Sequence, residues 1–132
     1  MESWLVYVSD ALVAQEADLT SLVADSHVRN ASLRVTGALL FTGSKFAQYL
    51  EGTADALQLL MTSIRIDPRH QNIVVLAEGQ REDRQFARWT LAYAGPAVFV
   101  ARVVQAALDD AQAGSPMKSR TLIRLLREFA EA

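Results

Sequence analysis

The chain has 132 residues, 13 Lys and Arg against 15 Asp and Glu, two histidines and no cysteine. This length fits one domain, and 51% hydrophobic residues indicate a folded core rather than disorder. A net charge of −2 argues against nucleic-acid binding, and the lack of cysteine excludes disulfides and thiolate chemistry. No metal site is predicted. No apolar run reaches the roughly 20 residues of a membrane span, and the N-terminus lacks a basic leader, so a cytoplasmic location is predicted.

The chain alternates between the two hydrophobic periods that distinguish strands from helices. Strands are predicted at 4–8, 35–41, 45–51, 72–77 and 86–94, and helices at 15–29 and 54–66. Thr53 suits the N-cap of the second helix, and Pro68 requires that helix to end at Asp67. The turn residues between the second and third strands predict a β-hairpin, and residues 79–84 predict a charged loop.

The C-terminal part predicts two further helices, separated by Gly114, Ser115 and Pro116, which suit a helix stop followed by a start. Two interpretations are open. The apolar stripes of these helices pack on the sheet and cap it, or the second helix binds a partner and presents the polar face formed by Arg120, Arg124 and Arg127. The order β-α-β-β-α-β-β indicates an α+β, ferredoxin-like sandwich with both helices on one face of a mixed sheet. We divide the chain into a domain over 1–95 and a C-terminal helical extension over 96–132.

Four polar residues occupy strand and helix positions that should face the core, namely Tyr7, Asn30, Gln48 and Asp67. Each buried polar group left without a partner costs roughly 1–3 kcal/mol, so they should bond one another or surround a planar polar ligand. Amide side chains suit a heterocycle edge that carries N–H and C=O groups. Taken singly, each residue has a structural explanation: a core tyrosine, a helix C-cap, a solvent-facing glutamine and a helix-end turn.

The spacing of these residues resembles the BLUF family, the blue-light sensors that use FAD. The matching segments, in family order over about residues 3–93, are 6–11, 26–30, 35–40, 46–52, 64–70 and 84–89. The most specific pieces are Phe-x-Gln-x-Leu-Glu-Gly in the third strand and Asp-x-Arg-His after the second helix.

The resemblance implies a flavin, FAD with FMN as the alternative, held between the two helices and edge-on to the sheet. It implies that Tyr7 donates an electron and a proton, and that Gln48 lies between Tyr7 and the flavin N5/C4=O edge. Trp89, with Leu91 two residues on and on the same face of the last strand, is implied to carry the signal. The implied flavin contacts are Tyr7, Leu22, Arg29, Asn30, Phe46, Gln48, Ile64, Asp67, Arg69 and His70.

Three positions depart from the family pattern. Leu91 stands where methionine is common, Ser63 where some members have a basic residue, and Arg29 where Asn or His is frequent. Leucine lacks the soft, flexible thioether of methionine, so the relay through the last strand is expected to differ.

The implied function is a photoreceptor that turns over no substrate and is therefore not an enzyme. Light is expected to leave Gln48 in a changed tautomer or orientation, with a red-shifted flavin spectrum. Output is expected to reach an unknown effector protein through the C-terminal helices or the outer sheet face, or to use self-association as a homo-oligomer. The alternatives are a flavin-free ferredoxin-like protein-interaction module and an acylphosphatase-like enzyme. Residues 9–11 disfavour the enzyme because they offer no glycine or arginine for a phosphate cradle.

Overall fold

The computed structural model describes residues 1–13, 15–95, 100–114 and 117–131. The strands are β1 (Glu2–Ala11), β2 (Thr36–Phe41), β3 (Lys45–Gly52), β4 (His70–Arg81) and β5 (Ala92–Ala94). The helices are α1 (Glu16–Ser32), α2 (Ala54–Ile66), α3 (Ala101–Gln112) and α4 (Met117–Glu131). The predicted order of strands and helices and the α+β class are thereby confirmed.

The sheet is mixed, with strand order β4-β1-β3-β2-β5. Strand β3 is central and pairs antiparallel with both β1 and β2, while β5 pairs parallel with β2. The register places Gln48 of β3 opposite Tyr7 of β1 on one side and opposite Leu39 of β2 on the other. Because facing residues of paired strands point to the same side of a sheet, these three side chains share one face.

Each face of the sheet carries its own hydrophobic core. The inner face packs residues such as Tyr7 and Leu50 under α2, and Leu39 and Phe46 under Leu22 of α1. The outer face packs Val6, Val8 and Tyr49 against buried residues of α3 and α4, which include Val104, Ala107, Leu122 and Leu126. The apolar stripes of the C-terminal helices therefore cap the sheet, as one of the two interpretations of the sequence predicts.

Helix α2 begins and ends as the sequence predicts. The Thr53 hydroxyl accepts a hydrogen bond from the Ala56 N–H at 3.1 Å, which satisfies one unpaired donor of the first turn. Asp67 has an extended backbone (ψ 120°) ahead of Pro68 and ends the helix. At the end of α3, Gly114 adopts φ 85°, the left-handed conformation that favours glycine. The predicted helix start at Ser115 and Pro116 lies outside the described residues, as does the proposed boundary beyond residue 95.

Three strand predictions were wrong in extent. Strand β1, predicted at 4–8, covers Glu2–Ala11. Strand β4 continues to Arg81, through the first half of the predicted 79–84 loop, because the first residues of β1 pair with it. The last strand was predicted at 86–94 but covers only Ala92–Ala94, and turns and bends occupy the residues before it. The N–H groups of Gln85 and Phe86 bond the Glu51 carboxylate, and the Trp89 N–H bonds the Phe86 carbonyl. Donors used in this way cannot pair with β2.

In the part of the chain that the structure describes, no helix combines the length and the apolar character needed to cross a membrane.

Candidate functional site

A hydrogen-bonded tyrosine–glutamine pair lies at the centre of the inner face. The Tyr7 hydroxyl donates to the Gln48 side-chain oxygen at 2.5 Å, and each residue is only 3% exposed. Burial raises the pKa of Tyr7 well above its usual range, so the phenol stays protonated and acts as the donor. The amide group of Gln48 keeps its N–H donors for other partners.

Above this pair, α1 and α2 form the walls of a cleft. Leu22 from α1 and Ile64 from α2 supply apolar sides, while Phe46 and Leu39 of the β2–β3 hairpin supply an apolar floor. The residues that line the cleft are Tyr7, Leu22, Ser26, Arg29, Leu39, Phe46, Gln48, Ile64, Asp67 and His70. The structure therefore brings together all the predicted flavin contacts except Asn30 and Arg69, which lie beside this lining.

The polar end of the cleft is organised by the Asp67 carboxylate. Arg69 grips it with two hydrogen bonds, Nε to Oδ1 at 2.9 Å and Nη2 to Oδ2 at 2.7 Å, and its backbone N–H adds a third at 3.0 Å. Arg29 lies 3.7 Å from the same carboxylate. These bonds, chiefly those from the Arg69 side chain, lower the pKa of Asp67 to about 2. Arg69, which also binds Asp25, holds Asp67 in place rather than lining the cleft itself.

This ion pair predicts an acid-sensitive contribution to stability. The lowered pKa of Asp67 makes its contribution complete above its ordinary value near 4 and progressively lost as the pH falls toward about 2. We expect the stability difference between wild type and Asp67→Asn to shrink by about 2 kcal/mol between neutral pH and that limit. Urea unfolding at a series of pH values measures it, with Asp83→Asn at an exposed carboxylate as the control. A difference that is constant with pH would contradict the prediction.

His70 is fixed on both ring nitrogens. Its Nε2 lies 2.7 Å from the Ile64 carbonyl oxygen, which only accepts, so Nε2 carries the proton. In the neutral ring, Nδ1 then accepts from the Ser9 hydroxyl at 2.7 Å. Ser26 of α1, which lines the cleft, was not among the predicted site residues, and neither were the strand residues Ser9 and Leu39. Strand alternation could have found both, because Ser9 shares a face with Tyr7, and Leu39 falls on an inward-facing position of its own strand.

Two buried polar atoms beside the cleft have no hydrogen-bond partner among the described residues. Asn30 is 1% exposed; its Nδ2 donates to the Thr90 carbonyl at 3.0 Å, but its Oδ1 is unpaired. The Nε of Arg29 is unpaired as well. An unpaired acceptor and an unpaired donor fit a planar ligand that presents both N–H and C=O groups, as a flavin ring does.

Trp89 and Leu91 do not share a face, which corrects the sequence prediction. Trp89 packs against the outer-face core and stands 6.5 Å, centroid to centroid, from the Phe86 ring. Leu91 packs with Tyr93 against the inner-face core. Strand periodicity holds from Leu91 onward but not at Trp89, because Trp89 belongs to the preceding turn.

Comparison with known proteins identifies the family. The family described as sensors of blue-light using FAD (BLUF) matches residues 3–92. Photoactivated adenylate cyclase subunit beta of Euglena longa is 38% identical over 89 residues, which are 66% of this chain and 10% of that protein. The dark-state structure of BlrB, a BLUF protein, has a TM-score of 0.81 and 29% identity over 99% of this chain and 97% of that one. The structure of Klebsiella pneumoniae BlrP1 with FMN and cyclic diGMP has 36% identity and a TM-score of 0.65, over 71% of this chain and 25% of that one.

The chain belongs to the BLUF family of flavin-binding blue-light sensors. This confirms the predicted family, the ferredoxin-like fold, the photoreceptor function and the flavin class of cofactor. Because the family is one of sensors, it also agrees with the prediction that this domain is not an enzyme. The chain spans about a tenth of the length of the cyclase subunits that it matches. In such relatives the BLUF domain is therefore one part of a protein with its own effector activity.

Proposed function

We propose that Tyr7 and Gln48 perform the light reaction of this sensor and that the flavin is FAD. The observation that carries the proposal is the buried 2.5 Å hydrogen bond between the two side chains at the base of the cleft. A bound flavin supplies the absorption of blue light and, once excited, a strong oxidant. Tyr7 would give one electron to that oxidant and its phenol proton to Gln48 Oε1; one electron and one proton would then return to Tyr7, so that no net oxidation remains. Gln48 then ends in a changed tautomer or orientation.

The other cleft residues hold and orient the ring. Leu22 and Ile64 contact its two faces, since they stand on opposite walls. The unpaired Asn30 Oδ1 accepts from a ring N–H, and the unpaired Arg29 Nε donates to a ring acceptor. Phe46, Asp67 and His70 complete the base and the polar end, and Arg69 acts through Asp67.

The cofactor proposal has a direct test. We expect the purified protein to be yellow and to release FAD on heating, because the chain has no cysteine for a covalent link and both ring nitrogens of His70 are engaged in hydrogen bonds to Ile64 and Ser9. Absorption spectroscopy and mass spectrometry of the released chromophore identify it. Release of FMN would confirm the flavin site and show that the bound flavin is FMN and not FAD. A colourless protein that takes up neither flavin would overturn the proposal and favour the flavin-free interaction module.

We also propose how the output is arranged. Residues 1–95 form the photosensory unit, and the extension over 96–132 presents a surface to a separate effector protein in the cytoplasm. The supporting observation is that α4 packs its apolar side on the outer sheet face while Arg120 and Arg124 are exposed; Arg127 is also exposed and borders Trp89. A homo-oligomer stays a prediction.

A further inference from the structure

Glu51 is a buried carboxylate on the outer side of β3 that the light reaction described above does not use. It is 1% exposed and accepts hydrogen bonds from the Thr36 hydroxyl at 3.0 Å, the Gln85 N–H at 2.8 Å and the Phe86 N–H at 2.6 Å. A buried carboxylate is costly unless it is hydrogen-bonded, and here both of its oxygens are used. Two consecutive backbone N–H groups are thus fixed to a side chain of the central strand.

The segment that Glu51 holds, residues 85–90, is also held at its other end. The Trp89 carbonyl accepts from the Gly37 N–H at 3.1 Å, and the Thr90 carbonyl accepts from Asn30 Nδ2 at 3.0 Å. Asn30 borders the cleft. The segment that carries Trp89 on the outer face is therefore tied to both the flavin site and strand β3.

Gln48 and Glu51 belong to the same strand, three residues apart, and point to opposite faces of the sheet. A change in the side chain of Gln48 that shifts β3 reaches the outer face at Glu51 without crossing any flexible linker. We propose that Glu51 is the positioning residue through which the state of Gln48 is passed to the Trp89 segment and so to the outer face. This inference rests on the photochemistry proposed for Tyr7 and Gln48.

Packing alone is the competing explanation for how the segment stays in place. Phe86 is fully buried in the outer core beside Tyr49, with ring centroids 4.9 Å apart. If packing alone held the segment, its position would not depend on Glu51 and light would not loosen it. The two explanations therefore differ in the exchange of the Gln85 and Phe86 amide hydrogens.

The experiment measures amide hydrogen exchange of the peptide covering residues 85–89, in the dark and under blue light, together with the flavin spectrum of the same samples. The main variant is Glu51→Gln. It keeps the shape of the side chain, but its single oxygen leaves one of the two backbone N–H groups facing an amide donor. Thr36→Val removes only the hydroxyl donor and is the milder variant if Glu51→Gln does not fold. Asp10→Asn is the matched control, because the Asp10 carboxylate binds Asn72 and Lys45 at the far end of β1.

In wild type and Asp10→Asn we expect light to speed exchange of this peptide by about tenfold or more. In Glu51→Gln we expect the normal red shift but fast exchange in the dark, with a light-to-dark ratio near one. Thr36→Val should give a smaller ratio than wild type. The proposal is overturned if Glu51→Gln keeps the wild-type ratio, if it loses the red shift, or if wild type shows a red shift without any change in exchange. Wild type without a red shift would overturn the proposed photochemistry as well, and the flavin spectrum separates that case.

Discussion

Replacing Tyr7 by phenylalanine is expected to leave the flavin bound and to abolish the reversible red shift. The ring of phenylalanine fills the same buried volume on β1, so the cleft keeps its shape. Phenylalanine has no hydroxyl to supply a proton to Gln48, so the light-minus-dark amplitude should fall at least about tenfold. Absorption difference spectra at equal flavin content measure the effect.

The matched control for this variant is Tyr49→Phe. Tyr49 is also a buried tyrosine and adjoins Gln48 in the chain, but it lies on the outer face, where its hydroxyl accepts from Gln85 Nε2 at 3.3 Å. We expect Tyr49→Phe to keep the full red shift. Equal losses in the two variants would mean that the optical change depends on core packing rather than on the Tyr7 proton.

Much of the fold follows from local sequence. Thr53 and Pro68 fix the two ends of α2 by local chemistry alone. The strand periods group Tyr7 with Leu5 in β1 and Gln48 with Leu50 in β3, whereas the pairing of the two strands puts these residues on one side of the sheet. The same reasoning places Asn30 on the buried stripe of α1, where the structure has it.

The error in the last strand lies where a distant side chain overrides the local pattern. The segment before β5 alternates like a strand, yet Glu51, 34 and 35 residues away in the chain, takes the N–H groups of Gln85 and Phe86. The apolar residues that alternate there pack into two different cores, since Trp89 packs into the outer-face core and Leu91 into the inner-face core. No local period contains that information.

The hydrogen-bond partners within the site likewise could not be predicted from the sequence. A stripe position predicts that Asn30 is buried but not that it donates to Thr90, 60 residues later in the chain. The two hydrogen bonds from the Arg69 side chain to the Asp67 carboxylate also depend on the path of the chain after α2. The residue types were foreseeable, and their partners were set by tertiary packing.

Replacing Gln48 by leucine is expected to remove the red shift completely while keeping flavin, and also to destabilise the protein. Leucine has no group that can take the Tyr7 proton or change its hydrogen bonding, so the difference spectrum should fall at least about tenfold. The Tyr7 hydroxyl is left buried without its acceptor, which costs roughly 1–3 kcal/mol. Difference spectra and urea unfolding of the flavin-loaded protein measure the two effects.

The double variant Tyr7→Phe/Gln48→Leu separates these effects. Each single change leaves one partner of the 2.5 Å hydrogen bond buried in the core without the other, whereas the double change removes both partners. We therefore expect the double variant to lose less stability than the two single variants lose together, by about 1 kcal/mol or more. Its red shift should be absent, as in either single variant. Additivity of the single losses within about 0.5 kcal/mol would mean that the two side chains do not depend on each other in the folded protein. In that case the proton path from Tyr7 to Gln48 would lose its structural basis, even if both single variants had lost the red shift.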